Sequence, residues 1–445
     1  MKALSTDIPR YSSVIGLGFG DCGKGVFTDY LCREFRARTV VRFNGGAQAG
    51  HNVVLPDGTH HTFSQFGSGT FIPGVFTVLI DPVVVHPTAL LCEYEALRSK
   101  GAGDALDRLL IDGKCRIITP YHQAAGRIRE LIRGEGAHGT CGTGFGETVR
   151  HSIEHPEETL TYGEIADESS AMMKLEAIRR RLLAETQEHT GDFTQPVLDE
   201  ELSVLMNEAV SKRWLDLTAP LTAKVPPADE GRIAERLHLT GRVVFEGAQG
   251  MLLDEWKGFH PHTTWSSIHA GALDEIAARL SLPESVTHFG AVRTYMTRHG
   301  NGPLPTHDPG LSRIPEVHNG NEGWQGDFRR GHPDSVLLRY SLAHAGNISA
   351  LLVSHNDIFD HGISLKWCRS YLSGGKEVPD IPITRGNDLA EQESLTGMIS
   401  QAQPVYDSEP VSTSDNCISL IEESAKIPVS HASFGCTYQD VRHRG

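Results

Sequence analysis

GLGFGDCGKGVFTD, Gly16 to Asp29, decides the fold of this chain. A short apolar run, Val14 to Leu17, enters the glycines. Lys24 to Phe35 leaves them, with Val26, Phe27, Tyr30, Leu31 and Phe35 roughly at helical spacing. The next run, TVVRF from Thr39 to Phe43, is a compact β-branched strand. Strand, glycine loop, helix and strand open a parallel α/β sheet, whose buried strands read as short continuous apolar runs. Similar runs recur at Val75–Ile80, Ile117–Thr119, Val243–Glu246, Ser285–Val292 and Ala350–Ser354. The fold class expected is α/β: a single large domain, residues 1–445, around a mainly parallel central sheet. Residues 171–189 and 199–216 carry helical periodicity and high charge and read as exposed helices. With the turn or linker at 222–232 they make a helical insertion, 171–232, and residues 360–445 read as a looser C-terminal section.

Composition narrows the function. The chain has 445 residues, 41 Lys and Arg against 56 Asp and Glu, and a net charge of −15. Nucleic-acid coats and membrane-surface binders want a cationic surplus, so neither partner is expected. A small anionic ligand needs only a local pocket and stays open. No apolar run is long enough to span a bilayer, and the N-terminus lacks a signal-peptide core. The eight cysteines are scattered with no CxxC pair, so neither disulfides nor a zinc knuckle are expected. The sequence reads as a reduced, cytoplasmic protein.

Within the opening loop, Gly18 to Lys24 has the GxxxxGK spacing of a phosphate-binding loop. Gly20 and Gly23 let backbone N–H groups turn inward at a helix N-terminus, and Lys24 adds positive charge. Gly25 stands where such loops carry the Ser or Thr that binds magnesium, and Asp21 sits inside the loop. A carboxylate there repels phosphate unless it bridges through a metal or handles a proton. NGGAQAGHNVV, Asn44 to Val54, presents Gln48 and His51 at a strand's carboxyl edge, the ligand side of an open α/β sheet. HGTCGTGFGET (138–148), FEGAQG (245–250, with Gln249) and TRHGNGPLPT (297–306, with Thr297 and Arg298) are further polar-glycine loops.

These motifs, in this order, resemble those of the adenylosuccinate synthetases. GDCGKG is similar to that family's GDEGKG, NGGAQAGHNVV to QGGxNAGHTVV, and GTCGTGFGE to GTTGRGIGP. FEGAQGMLLD is similar to FEGAQGxLLD, HPHTTWSS to YPxVTSS with one extra residue, and TRHGNGPLPT to TRVGxGPFPT. The resemblance runs from about Gly16 to Gly435. It implies a homodimer that uses GTP or ATP to phosphorylate the 6-oxygen of a purine nucleoside monophosphate, after which the amine of L-aspartate displaces the phosphate. By the same resemblance Asp21 is the base for the purine N1 proton, His51 the donor to developing charge, and Lys24 a phosphate ligand. Asp21 and the Gly50 carbonyl hold Mg2+. Nucleotide and phosphate contacts fall to Gly20, Gly23, Gly25, Gln48, Thr140, Cys141, Gln249, Thr264, His355, Asp357, Ser433 and Gly435. The C-terminal section closes the nucleotide site.

Departures cluster in the specificity loops. The amino-acid loop, roughly TTGRxRRCGWFD in the family, is GWQGDFRRGHPD here (323–334). Arg329 and Arg330 remain, Asp327 replaces the first arginine, and Trp324 and Gln325 replace the paired threonines. Thr297, Arg298, Gln325, Arg329 and Arg330 are the expected aspartate contacts. The TKxD base signature becomes Ser354-His355-Asn356-Asp357. The arginine that reaches into the partner subunit has no clear equivalent, Arg150 being nearest. These changes leave IMP and (d)GMP both open as the purine, since each offers the same N1–H and O6. A nucleotide-binding regulator on the same fold is the non-enzymatic alternative.

Overall fold

The structure is a computed structural model that describes residues 8–188, 196–239, 241–320, 324–384 and 386–444. A nine-stranded sheet forms its centre. From one edge to the other the strands are Val441–His443, Val429–Ser433, Ile348–Ser354, Thr287–Arg293, Tyr11–Gly16, Arg242–Glu246, Ala37–Arg42, Phe76–Leu79 and Leu109–Ile111. Every pairing is parallel except that of the edge strand Val441–His443. The opening strand Tyr11–Gly16 lies in the middle and is buried along its whole length, as a two-sided strand must be. Register aligns the strand ends, with Gly16 opposite Ala291 and Val14 opposite Glu246. The loops after Gly16, Arg42, Glu246, Arg293 and Ser354 therefore emerge on one side of the sheet.

Several sequence boundaries are corrected. Arg116–Ile117 pairs with Val84–Val85 outside the central sheet. The charged helices are not simply surface elements. Leu175, Ile178 and Leu182 of the helix Glu168–Gln187 join Leu198, Leu205 and Trp214 in a core with Ile117, Tyr121 and Ile128. The run 199–216 spans two helices, Pro196–Met206 and Ala209–Lys224. Asn207 Oδ1 accepts from the Ala209 N–H at 3.0 Å and restarts the second. That helix continues into the expected linker, leaving 225–229 as the connection before Glu230–His238. The section 360–445 holds a three-stranded antiparallel sheet (Leu365–Ser373, Lys376–Val378, Gln403–Val411), and it also contributes two strands to the central sheet.

Candidate active site

The loops at the strand ends enclose a cavity of about 900 Å³. On its floor the glycine loop turns into the helix Lys24–Glu34. Gly23, at φ 79°, is the residue before this helix and caps it with no side chain, which leaves the first N–H groups free for an anion. Lys24 is buried and donates to the carbonyl oxygens of Gly20 (2.7 Å) and Gln249 (2.6 Å), so it joins two of the loops. A Cβ on Gly25 would overlap the Asn52 carbonyl oxygen. Close packing of this helix against the strand His51–Val54 thus excludes the usual Ser or Thr.

Asp21 and His51 both face this cavity. Asp21 Oδ2 lies 3.3 Å from His299 Nε2. Burial pushes the Asp21 carboxyl up, but the hydrogen bond and charge of His299, with Arg293 and Lys24, outweigh it and bring the pKa down to about 2. The His51 ring is buried, with Nδ1 2.7 Å from Glu246 Oε1. Glu246 also accepts from the Ser68 N–H at 2.9 Å and from the Ser68 hydroxyl. Burial lowers the His51 pKa to about 4, against the opposing pull of Glu246. The ring is therefore neutral at pH 7, with its proton on Nδ1 facing the carboxylate. Nε2 is buried and has no hydrogen-bond partner among the described residues. Glu246 is the orienting residue of this pair, and it is itself held ionised: burial pushes its pKa up, but hydrogen bonds from His51 and Ser68 and the charge of Arg42 bring it below the usual carboxylate range.

Two amides stand in the same enclosure. Gln48 and Gln249 both have buried side-chain oxygen and nitrogen atoms with no partner among the described residues. Such pairs of unsatisfied donors and acceptors are what a nucleotide's polar edges would fill. Gln249 takes φ 55°, which turns it out of the strand direction. Thr140, Cys141 and Thr264 also line the cavity. The Gly139 and Thr140 N–H groups donate to Glu130 Oε1 at 2.5 and 3.1 Å. The Cys141 thiol lies 3.1 Å from the Thr143 hydroxyl. Arg150 binds Glu147, Glu154 and Glu185 of its own chain.

The nucleotide-base and amino-acid residues are placed unevenly. His355, Asp357, Ser433 and Gly435 line the cavity, as do Gly20, Gly23, Gly25 and Gly50. His355 is not a free stacking platform. Its Nε2 meets Arg293 Nη2 at 2.6 Å and its Nδ1 the Ser354 hydroxyl at 2.9 Å, while burial and Arg293 hold its pKa well below the usual value. Burial raises the Asp357 carboxyl. Arg298 lines the cavity, but its guanidinium donates to the carbonyls of Asn301 (3.0 Å), Pro303 (2.9 Å) and His262 (3.1 Å). Arg329 donates to Gly300 and Gly302 and does not line the cavity; neither does Arg330. Arg298 and Arg329 pair across the antiparallel strands Met296–His299 and Phe328–Gly331. Arg298 and Arg329, two of the expected aspartate contacts, are thus hydrogen-bonded to turn carbonyls. Thr297 is buried and accepts from Arg293 at 3.2 Å. Gln325 does reach the cavity, and Asp327 is exposed outside it. Gly323, at the head of this loop, lies outside the described residues.

The sequence alone does not point to Glu246, His299 or Glu130, nor to Arg293, Glu316 and Asn319, which line the same cavity. Glu246 sits inside the quoted FEGAQG motif, yet the motif drew attention to Gln249. As a magnesium site, Asp21 and the Gly50 carbonyl fit by chemistry, since both are hard oxygen donors lining one cavity. Mg2+ takes few protein ligands and fills its octahedron with phosphate and water.

Comparison with known proteins bears on this geometry. The adenylosuccinate synthetase family model matches residues 13–441. The chain is 30% identical to the adenylosuccinate synthetase of Mycobacterium tuberculosis over 437 residues, 95% of each chain. It is 29% identical to that of Chlorobium chlorochromatii over 436 residues, 96% of each. In fold it resembles the fully ligated adenylosuccinate synthetase of Plasmodium falciparum, with a TM-score of 0.76, 20% identity, and coverage of 98% of this chain and 100% of that one. It also resembles the cyanophage S-2L succinoaminodeoxyadenylate synthetase bound to dGMP and dATP, with a TM-score of 0.58, 17% identity, and coverage of 98% and 96%. The single-domain α/β sheet, the ordered glycine loops and a match over nearly the whole chain agree: this protein belongs to the adenylosuccinate synthetase family.

Proposed function

We propose that this chain is a nucleoside-triphosphate-dependent C–N ligase that joins L-aspartate to C6 of IMP, with GTP or ATP as the phosphoryl donor. The observation that carries the reading is the convergence of Asp21, His51 and Lys24 on one cavity, with His51 oriented by Glu246. Asp21 takes the N1 proton of the 6-oxopurine, and the freed electron pair makes O6 nucleophilic. O6 attacks the γ-phosphorus, the bond to the β-phosphate oxygen breaks, and a nucleoside diphosphate leaves. The aspartate amine then adds to C6 and the C6–O bond breaks. Inorganic phosphate departs, the amine gives up its proton, and the succinylated purine remains.

His51 is arranged for the charge that develops in the first step. A phosphoryl group against Nε2 adds a second negative partner opposite Glu246, which favours the imidazolium and hence a donor. Lys24 and the free N–H groups at the helix N-terminus hold the phosphates. Mg2+ held by Asp21 and Gly50 supplies charge neutralisation on the transferring phosphoryl when bound. Gln48 and Gln249 take the nucleotide's polar edges. Aspartate binding falls to the loop 324–330, with Gln325 as the side chain in reach. The family's homodimer is carried over as part of the proposal.

A phosphate-release assay tests the reading: IMP, GMP and dGMP, each with ATP or GTP, with and without aspartate. Phosphate release that requires IMP and aspartate together is the expected result. Release with dGMP in place of IMP would replace the purine and keep the chemistry. A protein that shows ligand-dependent thermal shifts and no phosphate in any mixture would be a binding protein, and the ligase reading would fall.

A further inference from the structure

Asp21 is a short, partly exposed carboxylate, with 31% of its side chain accessible. Three cationic side chains surround it, and two are engaged elsewhere. Lys24 donates to the carbonyls of Gly20 and Gln249, and Arg293 to Glu316 at 2.6 Å. Among the described residues His299 is the one that reaches the carboxylate, at 3.3 Å. Its Nε2 also lies 3.3 Å from Asn319 Oδ1. Asn319 is oriented in turn, because its Nδ2 donates to Glu316 Oε2 at 3.1 Å. Both neighbours of Nε2 are acceptors, so Nε2 carries the proton and its N–H is shared between them. The ring packs against Phe328, centroids 4.7 Å apart, which limits its rotation. In the motif that this segment resembles, the residue is valine, which has no hydrogen to donate.

Building on the ligase reading, we propose that His299 is a positioning residue. Its N–H holds the Asp21 carboxylate in the orientation needed at the purine N1 proton, and Glu316 and Asn319 hold His299. A misaligned base loses rate while the nucleotides still bind, because alignment matters at the reacting atoms and not at the phosphates.

The test compares wild type with His299→Val and His299→Gln. Valine removes the donor, whereas the Gln amide can place an N–H close to where Nε2 lies. His299→Val should lower kcat roughly tenfold or more with the KM for IMP and for the triphosphate moved less than about threefold. His299→Gln should recover most of that loss. Crystal structures of wild type and His299→Val supply a readout that needs no turnover: one Asp21 orientation in the first, and a turned or divided carboxylate in the second. Unchanged kcat in His299→Val, or an unmoved Asp21, overturns the inference while leaving the ligase reading intact. Equal loss in both variants with raised KM would assign His299 to packing against Phe328 and would also overturn it. Wild type that releases no phosphate sinks the ligase reading, and the two crystal structures then still decide whether His299 orients Asp21.

Discussion

At the scale of single residues, the account places proton removal on Asp21 and charge stabilisation on His51. Asp21→Asn is nearly isosteric but cannot accept the N1 proton, so turnover should fall by at least ~10²–10⁴, the usual range for a general base. Nucleotide binding, followed by thermal shift, should largely survive. A variant within a few-fold of wild type would remove Asp21 from the chemistry. His51 makes a different prediction. Its buried Nε2 has no hydrogen-bond partner among the described residues, which leaves it available as a donor aimed at developing charge. His51→Ala should depress kcat more than it raises either nucleotide KM. A defect confined to KM would make His51 a ground-state contact instead.

At the scale of elements, the glycine loops were legible because glycine spacing at a strand end states a backbone requirement directly. The helix after the glycines followed from it, and the apolar runs marked the central strands near Val14, Thr39, Val75, Val243, Ser285 and Ala350. What sequence could not show was pairing across the chain. His51 and Glu246 are 195 residues apart, and neither His299 nor Asp21 announces the other. Nor could sequence show that the turn carbonyls of Asn301 and Pro303 accept from Arg298. The strand Leu109–Ile111 has only three residues, too few for a periodic signal. Gly25 is where sequence departure and element packing meet. Gly25→Ser restores the common loop residue, yet its Cβ must displace the Asn52 backbone. Chemical denaturation should show a loss of about 1–3 kcal/mol, as for overpacking elsewhere. A neutral or stabilised variant would mean that the helix and the strand His51–Val54 separate freely.

At the scale of the whole molecule, burial sets a pH limit on the fold. His51, His86 and His431 have pKa values lowered to about 4, each chiefly by burial, and His122 and His355 lie well below the ordinary value. Below pH ~6.5 the unfolded chain binds protons that these folded sites refuse, at up to about 1.4 kcal/mol per pH unit for each histidine. Stability should therefore fall as pH drops from ~6.5 towards 4. Asp29 and Asp334, pushed up to about 6 by burial, take protons in the folded state and oppose the trend in part. Burial also lowers His60, His262 and His344 to about 4 and raises the carboxyls of Asp81, Asp254, Glu255 and Asp357; the lowered histidines still outnumber the raised carboxyls, so Tm measured at pH 5 should lie below Tm at pH 7. A Tm that rises on acidification would mean that the buried carboxyls dominate. The same enclosed arrangement of Asp21, His51 and Lys24 underlies the central claim, that O6 of the purine is phosphorylated before aspartate displaces it. IMP carrying 18O at position 6 tests it most directly. In the presence of triphosphate and aspartate, the account expects the label in the released inorganic phosphate, one labelled phosphate for each nucleoside diphosphate formed. Phosphate free of label, with the 18O retained in the purine or lost to water, would contradict it.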